Sequence, residues 1–488
     1  MDRKNTVSHG KSQKKFSSNV AASAKKPLVI RIAIATSVFI AFILFAALSL
    51  CFFSCKTTPV VEEKNEKSLE VLFVEKLQAA LEKGTVEDAL LLFENMPENL
   101  KSNYDITLIH ASLLVSANRL DEASKMVEIL DQLDPGNAET LVVKSMIAKA
   151  SGNSREKSKI LKEIIASDPT NSDAYLEMGN DQMLGKKYKQ ANAYYLKAIK
   201  NDPTNISAYL GSGQCLYYLG YLKEADAAFD KMLEINPKSA PAWGYKAKLD
   251  MEKEDYKAAV EKSKKAIEYD SSYADYWVDY GRCLYYLGKW DDAEKAWTKA
   301  AELEPKNILP YIYRSSLYDE REQYKNAIQD YLTLIKIRPD YYYAYEALGI
   351  LYWHEENWEN SRTCFLKAAE YNKNNISYPL MVSATYLKQK KEAENRKYMQ
   401  QVLKNRDTKS TEYSVLRLYF DGVNIQAVVN RAKNETNSTL RGKYLFYVGL
   451  YFDVRGDDLS AKNLYNEVTK MQAPMFFEYR LAEWSLKN

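Results

Sequence analysis

Two patterns of apolar and polar residues divide the chain. Residues 32–54, IAIATSVFIAFILFAALSLCFFS, run 23 positions without a charge. Apolar on every face, this run predicts a helix of about 34 Å, enough for a bilayer core. A buried core helix fits it poorly, because it stands apart from the patterned body. From about residue 70 the apolar and aromatic residues follow helical spacing instead, and the breaks between them are periodic. Asp134-Pro135, Asp168-Pro169 and Asp202-Pro203 are followed by Asn236-Pro237, Glu304-Pro305 and Arg338-Pro339, every step being 34 or 68 residues. Asp270-Ser271 stands at the missing step and Asn372-Lys373 one step beyond the last. Proline ends the preceding helix, and the asparagines that recur just after (Asn137, Asn171, Asn205, Asn307, Asn375) are placed to cap the next one.

Inside each period the same residue types return. The stretch 172–205 offers Tyr175, Met178-Gly179, Ala191, Tyr195, Ala198 and Pro203, and 274–307 offers Trp277, Tyr280-Gly281, Leu284, Ala293, Trp297, Ala300 and Pro305. Stretches 206–239 and 342–375 repeat the theme with Gly213, Phe229, Gly349 and Phe365. Small residues are expected where two helices cross closely, aromatics where each repeat fills its neighbour. Two strings, Gly213 to Gly220 (GQCLYYLG) and Gly281 to Gly288 (GRCLYYLG), lie 68 apart and read as a copied pair of repeats.

On these residues the chain resembles the tetratricopeptide-repeat (TPR) family over about residues 70–475. The resemblance implies an all-α solenoid of helical hairpins wound as a right-handed superhelix, with first helices lining an inner groove that binds a peptide or partner protein. The pattern is strongest over 138–375. Between 376 and 441 the register slips by two residues, which marks that stretch as the candidate joint between two arrays. The domain plan is therefore a basic tail (1–31), a membrane or signal segment (32–54), a linker (55–69), about nine repeats (70–375), divergent repeats (376–475) and a capping helix (476–488), eleven or twelve repeats in all.

Composition narrows the function. With 17 glycines and 13 prolines among 488 residues, the chain has about half the usual share of turn formers, which argues against a β-sandwich or barrel. The net charge is +3, yet residues 1–31 hold eight basic side chains against Asp2 alone. The body is thus slightly acidic, a poor surface for nucleic acid. The same asymmetry places the tail in the cytoplasm and the body beyond the membrane. Phe-Phe-Ser before Cys55 resembles a relaxed bacterial lipobox, so the segment is either an uncleaved anchor or a signal removed with lipidation of Cys55. Five cysteines and three histidines supply neither a disulfide framework nor a zinc spacing. No metal or cofactor, no small-molecule substrate and no catalysis is expected, since phosphate-loop, nucleophile-elbow and metalloprotease strings are absent from the sequence.

Candidate chemistry lies along the groove. Residues at one helical offset in successive repeats would line up, bringing Tyr217 near Tyr285, Tyr218 near Tyr286 and Tyr245 near Tyr313, with Trp353 beyond, while Asn180, Gln214, Lys248 and Arg282 form a second row. Such a surface grips an extended peptide by stacking and by hydrogen bonds to its backbone. The carboxylate clamp of the co-chaperone subgroup is matched only at Asn180, because Leu176 and Gln214 occupy its lysine and next asparagine positions. The expected function is a membrane-tethered scaffold for protein partners in a bacterial envelope. The alternative is a peptide-binding chaperone or targeting receptor, which requires the body in the cytosol.

Overall fold

The recurring asparagines bond the starts of several first helices. In the computed structural model, which describes residues 69–422, 424–471 and 476–487, the Asn137, Asn171, Asn205, Asn307 and Asn375 Oδ1 atoms accept the backbone N–H groups of Glu139, Ala174, Ala208, Leu309 and Ser377 at 2.8–3.1 Å. Each such cap is worth about 1 kcal/mol. The turns ahead of the caps are tied in the same way. Asp168 and Asp202 accept both the N–H and the hydroxyl of Thr170 and Thr204, and Asp270 does so from Ser272 at 3.0 and 2.7 Å. The step that lacks proline therefore keeps its turn.

The described residues form 25 α-helices, α1–α25, and one 3-10 turn, Glu98–Leu100. The first pairs are α1 (Leu69–Lys83) with α2 (Val86–Glu94), α3 (Tyr104–Ser116) with α4 (Leu120–Leu133), and α5 (Ala138–Ala150) with α6 (Ser154–Ser167). Next come α7 (Ser172–Leu184) with α8 (Tyr188–Asn201), α9 (Ile206–Leu219) with α10 (Leu222–Ile235), and α11 (Ala240–Glu252) with α12 (Tyr256–Tyr269). They are followed by α13 (Ala274–Tyr286) with α14 (Trp290–Leu303), α15 (Ile308–Glu320) with α16 (Tyr324–Ile337), and α17 (Tyr342–His354) with α18 (Trp358–Tyr371). The last are α19 (Ser377–Lys388) with α20 (Glu392–Val402), α21 (Thr411–Asp421) with α22 (Ile425–Lys433), and α23 (Ser438–Val454) with α24 (Asp458–Lys470), then α25 (Phe477–Lys487) alone. The helices thus make twelve hairpins and a closing helix. The apolar run 32–54 and Cys55 lie outside the described residues, among which no helix is long and apolar enough to cross a membrane.

From the second hairpin on, the turn between the two helices carries a left-handed residue, and these keep a strict 34-residue step at Asn118, Gly152, Lys186, Gly220, Glu254, Gly288, Glu322, Glu356, Lys390 and Asn424. The next is Gly456, 32 residues on. The two-residue slip of register is therefore confined to the stretch after Asn424. Five of these positions hold Lys or Glu, residues that pay about 1 kcal/mol for a positive φ.

Five of the twelve hairpins, the last through Gly449 and Tyr465, close on a glycine and a ring sixteen residues apart. A Cβ on Gly179 would fall 2.6 Å from the Tyr195 ring, on Gly213 2.5 Å from Phe229, on Gly281 2.5 Å from Trp297, and on Gly349 2.9 Å from Phe365. Tyr195 is wedged from the other side too, since a Cβ on Gly211 would stand 2.4 Å from its ring.

The chain divides into two compact units between Leu249 and Asp250, inside α11. The repeat at this division carries Ala247 and Ser263 at the glycine and ring offsets. In the N-terminal unit small clusters of buried residues follow one another from Phe73 to Leu249. In the C-terminal unit the largest cluster runs without a break from Ile350 to Ala482. Residues 376–441, expected as a joint between arrays, are thus the middle of a continuous core. The reason is geometric. Helices α21 and α22 are only 11 and 9 residues long, so α19 and α23 pack directly on each other, and Lys388 reaches Asp453 at 3.0 Å.

Two predictions follow from the turns and the glycines. Gly281→Ala is expected to destabilise its unit by about 2 kcal/mol through overpacking against Trp297. In a Trp297→Leu background the same change should cost less than half as much by denaturant titration. An equal cost in both would place the glycine's role elsewhere. Glu322→Gly, at an exposed turn, should raise the melting temperature, with a gain of up to about 1 kcal/mol; a lowered midpoint would show that the turn holds no strain.

Candidate protein-binding surface

The copied strings build the same arrangement twice. In the N-terminal unit, Gly213 admits the Phe229 ring and Cys215 is buried, which leaves Tyr217 and Tyr218 half-buried at the end of α9. Their rings meet edge-on at 5.7 Å. Tyr218 extends to Tyr188, the first residue of α8, at 5.0 Å, and Tyr217 extends to Tyr245 on α11 at 6.1 Å. Tyr245 in turn stacks on Phe229 at 4.9 Å and 13°. The result is a ladder of five rings from two helix ends to the core. The Lys248 ammonium sits 5.4 Å from the Tyr245 ring centre.

The C-terminal unit repeats the ladder with every member 68 residues on. Tyr286 stacks on Tyr256 at 4.5 Å and 17°, Tyr285 meets Tyr286 at 5.5 Å and Trp297 at 6.1 Å, and Trp297 stacks on Tyr313 at 5.6 Å. The Tyr285 hydroxyl donates to the Glu320 carboxylate, 2.7 Å from each oxygen. Burial, and then that carboxylate, push its pKa well above the ordinary tyrosine value, so it stays a donor. Arg282 lies 5.6 Å from the Tyr313 ring centre and hydrogen-bonds Asp279 at 3.3 Å. Burial works against its charge, but Tyr313 and Asp279 more than offset it and raise its pKa above the ordinary value.

The expected rows are thus redistributed. Asn180, Gln214, Tyr217, Tyr218, Tyr245 and Lys248 belong to the N-terminal unit, whereas Arg282, Tyr285, Tyr286, Tyr313 and Trp353 belong to the other. Within the units Tyr217 with Tyr218 and Tyr245, and Tyr285 with Tyr286, are brought together. Asn180 is spent on the fold, accepting the Tyr195 hydroxyl at 2.9 Å. Trp353 is a core residue, 9% exposed and edge-on to Trp358 at 4.8 Å. Gln214 is half-buried on α9 beside the glycine that admits Phe229.

The sequence reading missed Tyr188, Tyr256 and Glu320 and took Phe229 and Trp297 for core residues only. A signal was available, since Tyr188 and Tyr256 lie 68 apart as the strings do. Other cations along these helices are neutralised from within. Lys157 is clasped by Glu177 and Asp181 at 2.7 Å each, Lys246 by Asp226 and Asp230 at 2.5 and 2.6 Å, and Arg314 forks onto Asp330. Burial pushes the thiols of Cys215, Cys283 and Cys364 up to about 12, the state of inert core cysteines. What the surface offers is therefore rings, hydroxyls, an amide and the Lys248 ammonium, groups suited to holding a polypeptide.

Models of the tetratricopeptide repeat match residues 182–249, 274–307 and 311–341. No curated protein matches the sequence. Among solved structures, YrrB, described as a TPR protein with an unusual peptide-binding site, is 22% identical, with 39% of this chain and 98% of that one covered at a TM-score of 0.32. PilF of Pseudomonas aeruginosa is 18% identical over 42% and 94% of the two chains at 0.39. A tetratricopeptide repeat protein of Parabacteroides merdae is 19% identical over 51% and 98% at 0.39. The 34-residue hairpins and the three matched segments agree: the chain carries tetratricopeptide repeats over residues 182–249, 274–307 and 311–341.

Proposed function

We propose that this chain is a scaffold that holds protein partners through two equivalent aromatic surfaces, one in each compact unit, and that residues 32–54 tether it to a membrane with the body on the extracytoplasmic side of a bacterial envelope. The observation that carries the binding half is the duplicated ladder. Five half-buried or buried rings at equivalent positions, 68 residues apart, exceed what hairpin packing needs, because Tyr217, Tyr218, Tyr285 and Tyr286 lie outside the glycine and ring contacts that close the repeats. Aromatic side chains give large contact area at low entropic cost and are over-represented among binding anchors. The tether rests on sequence alone: the uncharged run and the basic tail ahead of it. Cys55 is either the residue after an uncleaved anchor or the acylated first residue of the mature chain.

The binding half is tested on Tyr217→Ala, Tyr285→Ala and Gln214→Ala, with partners recovered from native membranes by mild crosslinking. Each is expected to weaken recovery by an amount typical of interface anchors, about 1–3 kcal/mol. Gln214→Ala discriminates best, since Arg282→Ala would also strand the buried Asp279 and lower stability on its own account. Recovery that falls only in proportion to unfolded protein would reduce the ladders to packing.

For the tether, protease added to spheroplasts should digest the body and spare the basic tail. A protected body would reverse the topology and favour the cytosolic receptor reading. Loss of membrane retention or lipid label in Cys55→Ala would assign the anchor to acylation.

A further inference from the structure

The outer pair of each ladder occurs a third time. Tyr188 with Tyr218 and Tyr256 with Tyr286 are followed, 68 residues further, by Tyr324 with His354. In all three, the first residue of one repeat's second helix meets a residue near the end of the next repeat's first helix, with ring centres 5.0, 4.5 and 4.8 Å apart. The third pair carries another ring. Trp484 of α25 lies 4.0 Å from His354 and 5.6 Å from Tyr324.

Helix α25 shows how a helix sits on such a pair. Arg480, one turn before Trp484, lies 4.1 Å from the Trp484 ring centre, and its guanidinium forks onto the Asp319 carboxylate with two contacts of 2.7 Å across 161 residues of chain. The other face of α25 is held in the core by Leu481, Ala482 and the fully buried Glu478, which accepts the Tyr447 hydroxyl at 2.9 Å. The arginine and tryptophan, four residues apart, are thus the part of α25 that reads the aromatic pair.

We propose that the pairs Tyr188/Tyr218 and Tyr256/Tyr286 are docking points for an amphipathic partner helix that lays an aromatic side chain on the pair as Trp484 does, and that α25 fills the third, equivalent point from within the chain. The inference rests on the reading of the ladders as binding surfaces and names the class of partner. Met251 and Met183 stand 68 and 136 residues before Asp319, so neither pair offers the carboxylate that Arg480 forks onto. Both pairs therefore select the aromatic alone.

The test uses the full chain and a labelled peptide of residues 476–488, FFEYRLAEWSLKN. Titration should find two sites per chain, and the peptide with Trp484→Ala should bind about tenfold more weakly or worse. Tyr218→Leu should remove one site and Tyr286→Leu the other; leucine keeps the apolar bulk, and circular dichroism checks that the helices persist. Replacing Arg480 by alanine in the peptide should leave both sites within about twofold of their original affinity, and a loss as large as that of Trp484→Ala would overturn recognition through the aromatic. Absence of binding, or binding that survives Tyr218→Leu and Tyr286→Leu together, overturns the proposal. Loss of helical content in both leucine variants overturns it too, since the pairs would then be structural. If the peptide fails while Tyr217→Ala and Tyr285→Ala still weaken partner recovery, only this inference falls. If the peptide binds while recovery is unchanged, the reading of the inner rings falls instead.

Discussion

Everything in this fold depends on the contact between a helix that has given up its side chain and a ring that takes the space. A Cβ on Gly281 would stand 2.5 Å from Trp297, a distance no real Cβ tolerates, so the two helices of that hairpin can cross as closely as they do only with glycine in place. The close crossing fixes the angle of the hairpin, and that angle fixes where the next hairpin lands. A ring buried to 1% exposure, as Trp297 is, contributes on the order of 2–3 kcal/mol of apolar burial. No single hairpin can bury both its faces, so each ring is shared with the following repeat. Tyr195, gripped between Gly179 and Gly211 of consecutive first helices, shows the sharing directly.

The locking ring also roots the candidate site. Phe229 is fully buried and is at the same time the inner end of the N-terminal ladder, stacked on Tyr245; Trp297 does the same for Tyr313. A rigid anchor of this kind holds the outer rings in place before a partner arrives, which lowers the entropy lost on binding. The same continuity explains why substitutions in the inner rings mix stability with recognition. The outer members and the neutral amide of Gln214 separate the two.

The period made most of the fold legible. Caps at Asn137, Asn171, Asn205, Asn307 and Asn375 and glycines beside rings could be read directly, because each acts on neighbours within one or two turns of helix. The left-handed turns at Lys186, Glu254, Glu322, Glu356 and Lys390 could not. Their side chains favour helix, and only the geometry of the hairpin forces the positive φ. The site was half legible. Aligning offsets paired Tyr217 with Tyr285, two repeats away, whereas a ring meets the second helix before it and the first helix after it. Arg282 looked available for a ligand, although Asp279 three residues earlier was a visible partner on the same helix. The reach of Arg480 to Asp319 was illegible in principle, since nothing local ties residues 161 apart.

Internal neutralisation decides what kind of recognition remains. Lys157, Lys246 and Arg314 are each matched by carboxylates of their own or the adjoining helix, so the body, slightly acidic overall, presents little uncompensated charge beside the rings. A partner therefore gains little from long-range steering. On the proposed reading, affinity comes from desolvated ring contacts and from hydroxyl oxygens left to accept, as at Tyr285, whose proton is already donated to Glu320. Two matching ladders also change the arithmetic. With the ladders binding as proposed, two on one chain raise the effective concentration of a partner that carries two matching segments, without any new contact. Copying a pair of repeats would then multiply binding while leaving the stability of each hairpin where its own packing had set it.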